Sequence, residues 1–190
     1  MTANPDNELI DQARQGDPQA FRLLVERYER RVAATVVGML GYGAEADDVG
    51  QEVFIRFYRS LDRFRGDAAL GTYLTRIAIN LSLNELKRRK RRQFFQVFSR
   101  AGEPEFDIPD YVDEAEQRAV QAHVQRALHM LDADFRSVVV LRMIEGFSTK
   151  ETADILGLPQ GTVLSRLARA QKKLKGLLEP AIHLNTNEKD

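Results

Sequence analysis

Hydroxyl and cationic side chains share one face of a predicted helix close to the end of the chain. That face carries Thr162, Ser165, Arg169, Lys172 and Lys173. The opposite face is apolar at helical spacing and carries Val163, Leu167, Ala170, Leu174 and Leu177. Hydroxyl and guanidinium groups can hydrogen-bond to base edges in a major groove, and lysines further along can neutralise phosphates. The pattern therefore predicts a helix that packs with one side and binds duplex DNA with the other.

The residues before this helix predict a helix-turn-helix from Ser148 to Leu178. Ser148 and Glu151 have capping-box spacing, which favours a helix start, and Gly157 with Pro159 favours its end. The second helix then begins near Pro159. Two alternatives stay open for this stretch taken alone. It could be an ordinary bundle helix with a solvated basic face, or a helical hairpin that binds protein.

A second candidate surface lies on the predicted helix of residues 72–92. One face is apolar, and the other carries Tyr73, Arg76, Asn80, Asn84 and Lys87 before the basic run Lys87–Arg92. An aromatic ring, amides and cations on one side are typical of single-stranded nucleic-acid binding, where bases stack and phosphates follow a cationic track. The alternative is that Tyr73 packs on a neighbour and the amides are merely solvated.

The sequence carries no recognisable catalytic or metal-binding cluster. It has no cysteine, which excludes disulfides and thiolate sites. His123, His129 and His183 share no helix face and have no acids at ligand spacing. A phosphate-binding glycine loop and a nucleophile elbow are also missing from the sequence. We therefore expect a protein that is not an enzyme and that uses no metal or cofactor.

Composition and periodicity predict an all-α protein with two small helical domains. The 28 basic and 28 acidic residues give a net charge of zero, but residues 103–116 are acidic and contain no lysine or arginine. We predict a first domain at residues 1–92, a flexible acidic linker at 93–113, a second domain at 114–184 and a tail at 185–190. The polar N-terminus and the lack of a long apolar run predict a cytoplasmic protein.

At this point the residues resemble a known family, the extracytoplasmic-function sigma factors of bacterial RNA polymerase. The resemblance covers nearly the whole chain. It rests on GDPQAFRLLVERY, EADDVGQEVFIRFYRSLDRFRGD, TYLTRIAINLSLNELKRRKR and LRMIEGFSTKETADILGLPQGTVLSRLARAQKKL, in that order. It implies sigma domain 2 followed by sigma domain 4.

The resemblance also implies a role for each group of residues. Core polymerase binding is implied for Asp48, Gln51, Glu52, Phe54 and Ile55. Binding of the single-stranded minus-10 element is implied for Phe64, Arg65, Tyr73, Arg76, Asn80, Asn84 and Lys87. Reading of the minus-35 duplex is implied for Arg142, Thr162, Ser165, Arg166, Arg169, Lys172 and Lys173. The expected partners are core RNA polymerase, promoter DNA and an anti-sigma factor that could be membrane-anchored, with no small-molecule substrate.

Ile55 also supports a protein interface independently of the resemblance, because it is an apolar residue on a polar helix face. Two other classes of function remain open for the sequence. An autonomous helix-turn-helix regulator would bind duplex DNA tightly without polymerase and would leave the Tyr73 and Asn80 face unexplained. An all-helical RNA-processing enzyme would need a catalytic cluster that the sequence does not contain.

Overall fold

The computed structural model describes residues 5–99 and 115–186, and the all-α prediction is confirmed over these ranges. The α-helices are α1 (Pro5–Arg14), α2 (Pro18–Leu40), α3 (Ala44–Arg59), α4 (Leu70–Ser99), α5 (Ala115–His129), α6 (Ala133–Val139), α7 (Thr149–Leu156) and α8 (Gln160–Thr186). A 3-10 turn at Leu61–Arg63 follows α3, and a π-helical turn at Val140–Ile144 follows α6. No described helix is both long enough and apolar enough to span a membrane.

The first half, α1 to α4, is a bundle around the long helix α2. Asp17 caps α2 by accepting a hydrogen bond from the backbone of Gln19 at 2.8 Å, and Pro18 occupies the first turn, where a missing N–H costs nothing. Leu24, Phe57 and Leu74 are fully buried where α2, α3 and α4 meet. Burying a side chain of this size contributes about 1.5–3 kcal/mol. The bundle thereby fixes which faces of α3 and α4 remain at the surface.

The second half, α5 to α8, contains the predicted helix-turn-helix. The capping box is confirmed, because Ser148 accepts from the backbone of Glu151 at 3.2 Å and the Glu151 carboxylate accepts from the backbone of Ser148 at 2.8 Å. Gly157 ends α7 with a φ of 65°, a left-handed conformation that favours glycine. Val163 on α8 is fully buried against α6 and α7.

The two halves pack against each other. Val140, Leu141, Phe147 and Ile155 of the second half join the apolar core of the first. The approach is close at Gly38 of α2, where a Cβ atom would lie 3.0 Å from Cγ2 of Val140. The two halves therefore share one continuous core.

Two helices extend past the predicted domain boundaries. The linker was predicted to begin at residue 93, but α4 continues to Ser99. The sequence RRQFFQVFS contains no glycine or proline, and arginine and glutamine are good helix formers, so nothing ends the helix at Arg92. The tail was predicted from residue 185, but α8 extends to Thr186. Residues 100–113 of the predicted linker and residues 187–190 of the predicted tail lie outside the described ranges.

Candidate nucleic-acid interface

The cationic face of α8 has the arrangement that its periodicity predicts. Ser165, Arg169, Lys172 and Lys173 are exposed, while Ala170 on the opposite side is fully buried. The other apolar positions, Leu167, Leu174 and Leu177, also pack against the core of the second half. The exposed side of α8 therefore presents cations and a hydroxyl group, and the buried side fixes its orientation.

Some of these cations already have ion-pair partners. Arg166, which is half-buried, donates to Asp134 at 2.8 Å, and Lys173 contacts Asp132 at 3.5 Å. Asp134 and Asp132 are both exposed, and ion pairs between exposed groups contribute about 0–1 kcal/mol, so DNA phosphates can compete for these cations.

Arg142 contacts the turn before α7. Its guanidinium donates to the backbone carbonyl of Phe147, just before the capping residue Ser148. This bond secures the turn that leads into α7. Unlike Thr162, Ser165 and Arg169, Arg142 is not among the residues that line the cleft described next.

The α8 face lies opposite α4 across a cleft between the two halves. The cleft has a volume of about 850 Å³. It is lined on one side by Leu86, Arg89, Lys90 and Gln93 of α4, and on the other by Thr162, Ser165, Arg166 and Arg169 of α8. Four of the seven predicted minus-35 residues thus face the first half.

Two aromatic residues predicted to contact single-stranded DNA pack on each other in this structure. The Phe64 side chain is only 8% exposed. Tyr73 is half-buried; its ring centroid lies 5.0 Å from that of Phe64, and its hydroxyl oxygen is 2.9 Å from that of Ser60. The competing interpretation, in which Tyr73 packs on a neighbour, is the one that the structure supports. Helical periodicity could not reveal this because the partners come from the preceding turn.

The polar part of the same α4 face is exposed. Arg76, Asn80, Asn84 and Lys87 project from α4, and Arg65 is exposed in the preceding loop.

The basic run Lys87–Arg92 that follows is partly neutralised by acids of the same chain. Its ion pairs are Arg88 with Glu85, Arg89 with Glu45, and Arg92 with both Glu45 and Glu85. Part of the cationic run predicted to contact phosphates is therefore paired with acids of the same chain.

The predicted polymerase-binding residues lie on α3. Asp48, Gln51 and Ile55 are exposed, and Ile55 retains 43% of its accessible surface. Glu52 accepts from Arg56 at 2.8 Å within the helix, and Phe54 is half-buried against the core. The surface is therefore an acidic and amide face with one apolar residue, and Phe54 supports it from beneath.

Sequence reasoning missed a set of polar residues at the junction of the halves. The Glu145 side chain is only 5% exposed and accepts from Arg31 Nε at 2.9 Å and from Thr35 Oγ1 at 2.8 Å. Arg136 is 7% exposed and donates to the backbone carbonyl of Met39 at 2.5 Å. The sequence contains one indication of this burial, because Arg136 lies within the mainly apolar run FRSVVVL, at a helical position that faces the core. Among the described residues, no group of acids and histidines is placed to hold a metal ion.

Comparison with known proteins shows to which family the chain belongs. Residues 24–92 match the family model Sigma-70 region 2, and residues 118–174 match Sigma-70, region 4. The chain is 36% identical to the RNA polymerase sigma-H factor of Pseudomonas aeruginosa, covering 96% of this chain and 98% of that protein. The chain belongs to the extracytoplasmic-function (ECF) sigma factor family. It is also 36% identical to the ECF RNA polymerase sigma-E factor of Escherichia coli K12, over 93% of this chain and 96% of that protein.

A solved structure shows the same architecture for a relative of this ECF sigma factor. CnrH, solved in complex with the cytosolic domain of CnrY, matches with a TM-score of 0.68 and 30% identity, covering 93% of this chain and 99% of CnrH. The predicted family is thereby confirmed. Region 2 corresponds to the half with α3 and α4, and region 4 to the half with α8.

Proposed function

We propose that this ECF sigma factor binds core RNA polymerase through α3 and selects promoters through two separate DNA surfaces. The observation that carries the proposal is the placement of exposed hydroxyl, amide and cationic groups on both halves of a chain with sigma-70 regions 2 and 4. Each surface alone is small. Docking on one large enzyme makes the second DNA contact effectively intramolecular, which multiplies affinity without any new contact.

In this proposal α8 reads the minus-35 duplex. Thr162, Ser165 and Arg169 contact base edges, and Lys172 and Lys173 contact phosphates. Thr162, Ser165 and Arg169 line the cleft opposite α4, so α4 lies close to the space that a duplex on this face would occupy. We propose that core polymerase provides docking sites that hold the two halves apart when the minus-35 element binds.

The exposed part of α4 handles the minus-10 element. Asn80 and Asn84 contact unstacked bases, and Arg65, Arg76 and Lys87 contact the backbone. Phe64 and Tyr73 pack beneath this surface and fix the position of the preceding loop relative to α4. Binding of unstacked bases favours the open duplex, so this subunit needs no nucleotide hydrolysis to melt the promoter. Stacking of a base on an aromatic side chain contributes about 1–3 kcal/mol.

An anti-sigma factor is the expected regulator. The support is that CnrH was solved with the cytosolic domain of CnrY bound. The chain itself acts as a specificity subunit and leaves catalysis to the polymerase.

Two substitutions test the assigned DNA surfaces in transcription with core polymerase. Arg169→Ala should weaken minus-35 recognition by about 1–3 kcal/mol, because it removes one base-reading side chain. Asn80→Ala should reduce promoter melting, seen by permanganate reactivity, more than it reduces closed-complex formation. Arg22→Ala is the control, because Arg22 is an exposed cation on α2 that is not part of either proposed DNA surface. Equal effects of Arg169→Ala and Arg22→Ala would show that α8 is oriented wrongly in this proposal.

A further inference from the structure

The cleft between the halves holds more positive charge than its acids can balance. Five cationic side chains line it, and they are Arg89, Lys90, Arg136, Arg166 and Arg169. The carboxylates lining it are Asp132 and Asp134. Asp134 is paired with Arg166, and Asp132 is shared with Lys173, which lies outside the lining. Arg89 is paired with Glu45, which also lies outside the lining. Lys90, Arg136 and Arg169 remain without an ion-pair partner among the described residues, so the cleft keeps an excess of cations.

Arg136 is the most constrained of these cations. It is 7% exposed, and its terminal nitrogens donate to the backbone carbonyls of Met39, His129 and Leu131 at 2.5, 2.6 and 3.0 Å. Its Nε has no hydrogen-bond partner within the described residues, and no described carboxylate forms an ion pair with it. Burial, together with the charge of Arg89, lowers the pKa of Arg136 to about 10. A buried guanidinium that is satisfied only by neutral carbonyls is stabilised by any anion that can approach it.

Two side chains next to Arg136 are also incompletely hydrogen-bonded, although Arg89 pairs with Glu45 through Nη2. Nε of Arg89 and Nε2 of His129 are buried and have no hydrogen-bond partner in the described chain. Both residues line the cleft next to Arg136. Lys90 and Arg169 are exposed at its mouth and form no ion pair with any described residue. The cations thus extend from the floor of the cleft to its rim.

The volume of the cleft and the neutral hydrogen-bond donors on its wall indicate which kind of anion fits. A volume of about 850 Å³ lies within the roughly 300–1,000 Å³ of small-molecule sites. The hydroxyls of Thr162 and Ser165 and the amide of Gln93 add hydrogen-bond donors at the wall. Guanidinium groups match the fork geometry of phosphate oxygens, and several cations around one space favour a ligand with several phosphate charges.

We propose that this interdomain cleft binds one oligophosphate anion, either an inorganic polyphosphate or the phosphate chain of a nucleotide. Leu40, Leu86 and Phe135 also line the cleft and supply an apolar strip for a nucleoside. Because α4 and α8 lie on opposite walls, one bound anion contacts both halves and stabilises their packed arrangement. It also covers Arg166 and Arg169. If the function proposed above holds, the anion competes with the minus-35 element.

The test measures binding to the free full-length chain by calorimetry, at constant ionic strength. Tripolyphosphate and ATP are the two probes, and citrate is the control anion. We expect saturable binding of one tripolyphosphate or ATP per chain. The double variant Lys90→Gln with Arg169→Gln should bind about tenfold more weakly or worse, because two rim cations are lost. The double variant Arg59→Gln with Lys150→Gln has the same change in net charge at exposed positions outside the cleft and should bind like the parent.

The outcomes separate the proposal from unspecific charge effects. Tighter binding of ATP than of tripolyphosphate identifies a nucleotide site, and the reverse identifies an inorganic polyphosphate site. No saturable binding, equal binding of citrate, or equal losses in the two double variants would overturn the proposal. These measurements contain no DNA or polymerase, so their failure leaves the proposed sigma function standing.

A second readout follows the packing of the halves. The chain has no cysteine, so dyes can be placed at Gln15→Cys and Ala168→Cys, both exposed. We expect tripolyphosphate to narrow the distribution of dye-to-dye distances in single-molecule energy transfer. A distribution that broadens or lengthens on binding would contradict the idea that the anion joins the two halves.

Discussion

At the scale of the residue, His129 shows what burial between the two halves does to an ionisable group. Desolvation, followed by the charges of Arg136 and Arg89, lowers its pKa from 6.5 to about 4. The neutral form is therefore the one that fits the folded chain. An unfolded chain binds the proton more readily, so protonation favours unfolding.

The first prediction concerns pH. Because the pKa of His129 is lower in the folded state, its contribution to stability is present above pH 6.5 and is lost as the pH falls towards about 4. The thermal unfolding midpoint of the parent should fall more steeply over this window than that of His129→Gln, which does not titrate there. Identical pH profiles for the two proteins would show that His129 is not held neutral.

The second prediction concerns Gly41, which follows α2 with a φ of 83°. A Cβ atom at this position would collide with the His129 ring. Gly16 has a similar φ of 91° but no atom within 4 Å of the corresponding position. Gly41→Ala should therefore lower the free energy of unfolding by clearly more than Gly16→Ala, since only the first adds a steric clash to the backbone strain of about 1 kcal/mol. Similar losses in urea unfolding would mean that the clash is relieved by movement of α5.

At the scale of the element, the start of α7 depends on its capping box. Ser148→Ala should reduce the free energy of unfolding by about 0.5–2 kcal/mol, because one orphan N–H loses its acceptor. Lys150→Ala is the control in the same first turn, with no capping bond to lose. Urea unfolding of both variants measures the difference. A Ser148→Ala protein as stable as the control would show that the cap contributes nothing.

The contact between α2 and the π-helical turn supports a fourth prediction. Arg31, Thr35 and Glu145 form a hydrogen-bonded group that joins the halves. A double-mutant cycle of Arg31→Ala and Glu145→Ala should give a coupling energy of about 0.5–3 kcal/mol, as expected for residues in one network. The same cycle with Arg22→Ala in place of Arg31→Ala should give no coupling, because Arg22 pairs with Glu26 instead. A coupling near zero in the first cycle would mean that the pair of Arg31 and Glu145 does not help to hold the halves together.

At the scale of the whole molecule, the sequence predicted those features that local chemistry determines. The face of α8 with Ser165 and Arg169 follows from helical periodicity, and the start of α7 follows from the Ser148 and Glu151 spacing. Periodicity could not predict that Tyr73 packs on Phe64, because Phe64 lies in the turn before α4 and not on the helix. It could not predict that Arg136 is buried against Met39 either, because these residues are 97 positions apart in the chain. The end of α4 was missed for another reason. A change of composition at Gln93 was interpreted as a boundary although no helix breaker is present there.

The packing of the two halves also bears on how promoter recognition can be controlled. In the packed chain the face of α8 proposed to bind DNA borders the cleft opposite α4, although Ser165 and Arg169 remain exposed. In the proposed function, a partner that holds the halves apart gives a duplex more room at this face. Shifting such an equilibrium needs a partner with higher affinity for the separated form. Core polymerase that docks both halves would favour separation, whereas a ligand that bridges the cleft would oppose it.

The most direct test of the central claim is to sequence transcript 5′ ends after the chain and core polymerase transcribe fragmented genomic DNA. We predict start sites that are absent with core polymerase alone and that share two upstream sequence elements at a fixed separation, with Arg169→Ala depleting those that depend on the distal element. Start sites identical to those of core polymerase alone would contradict the account.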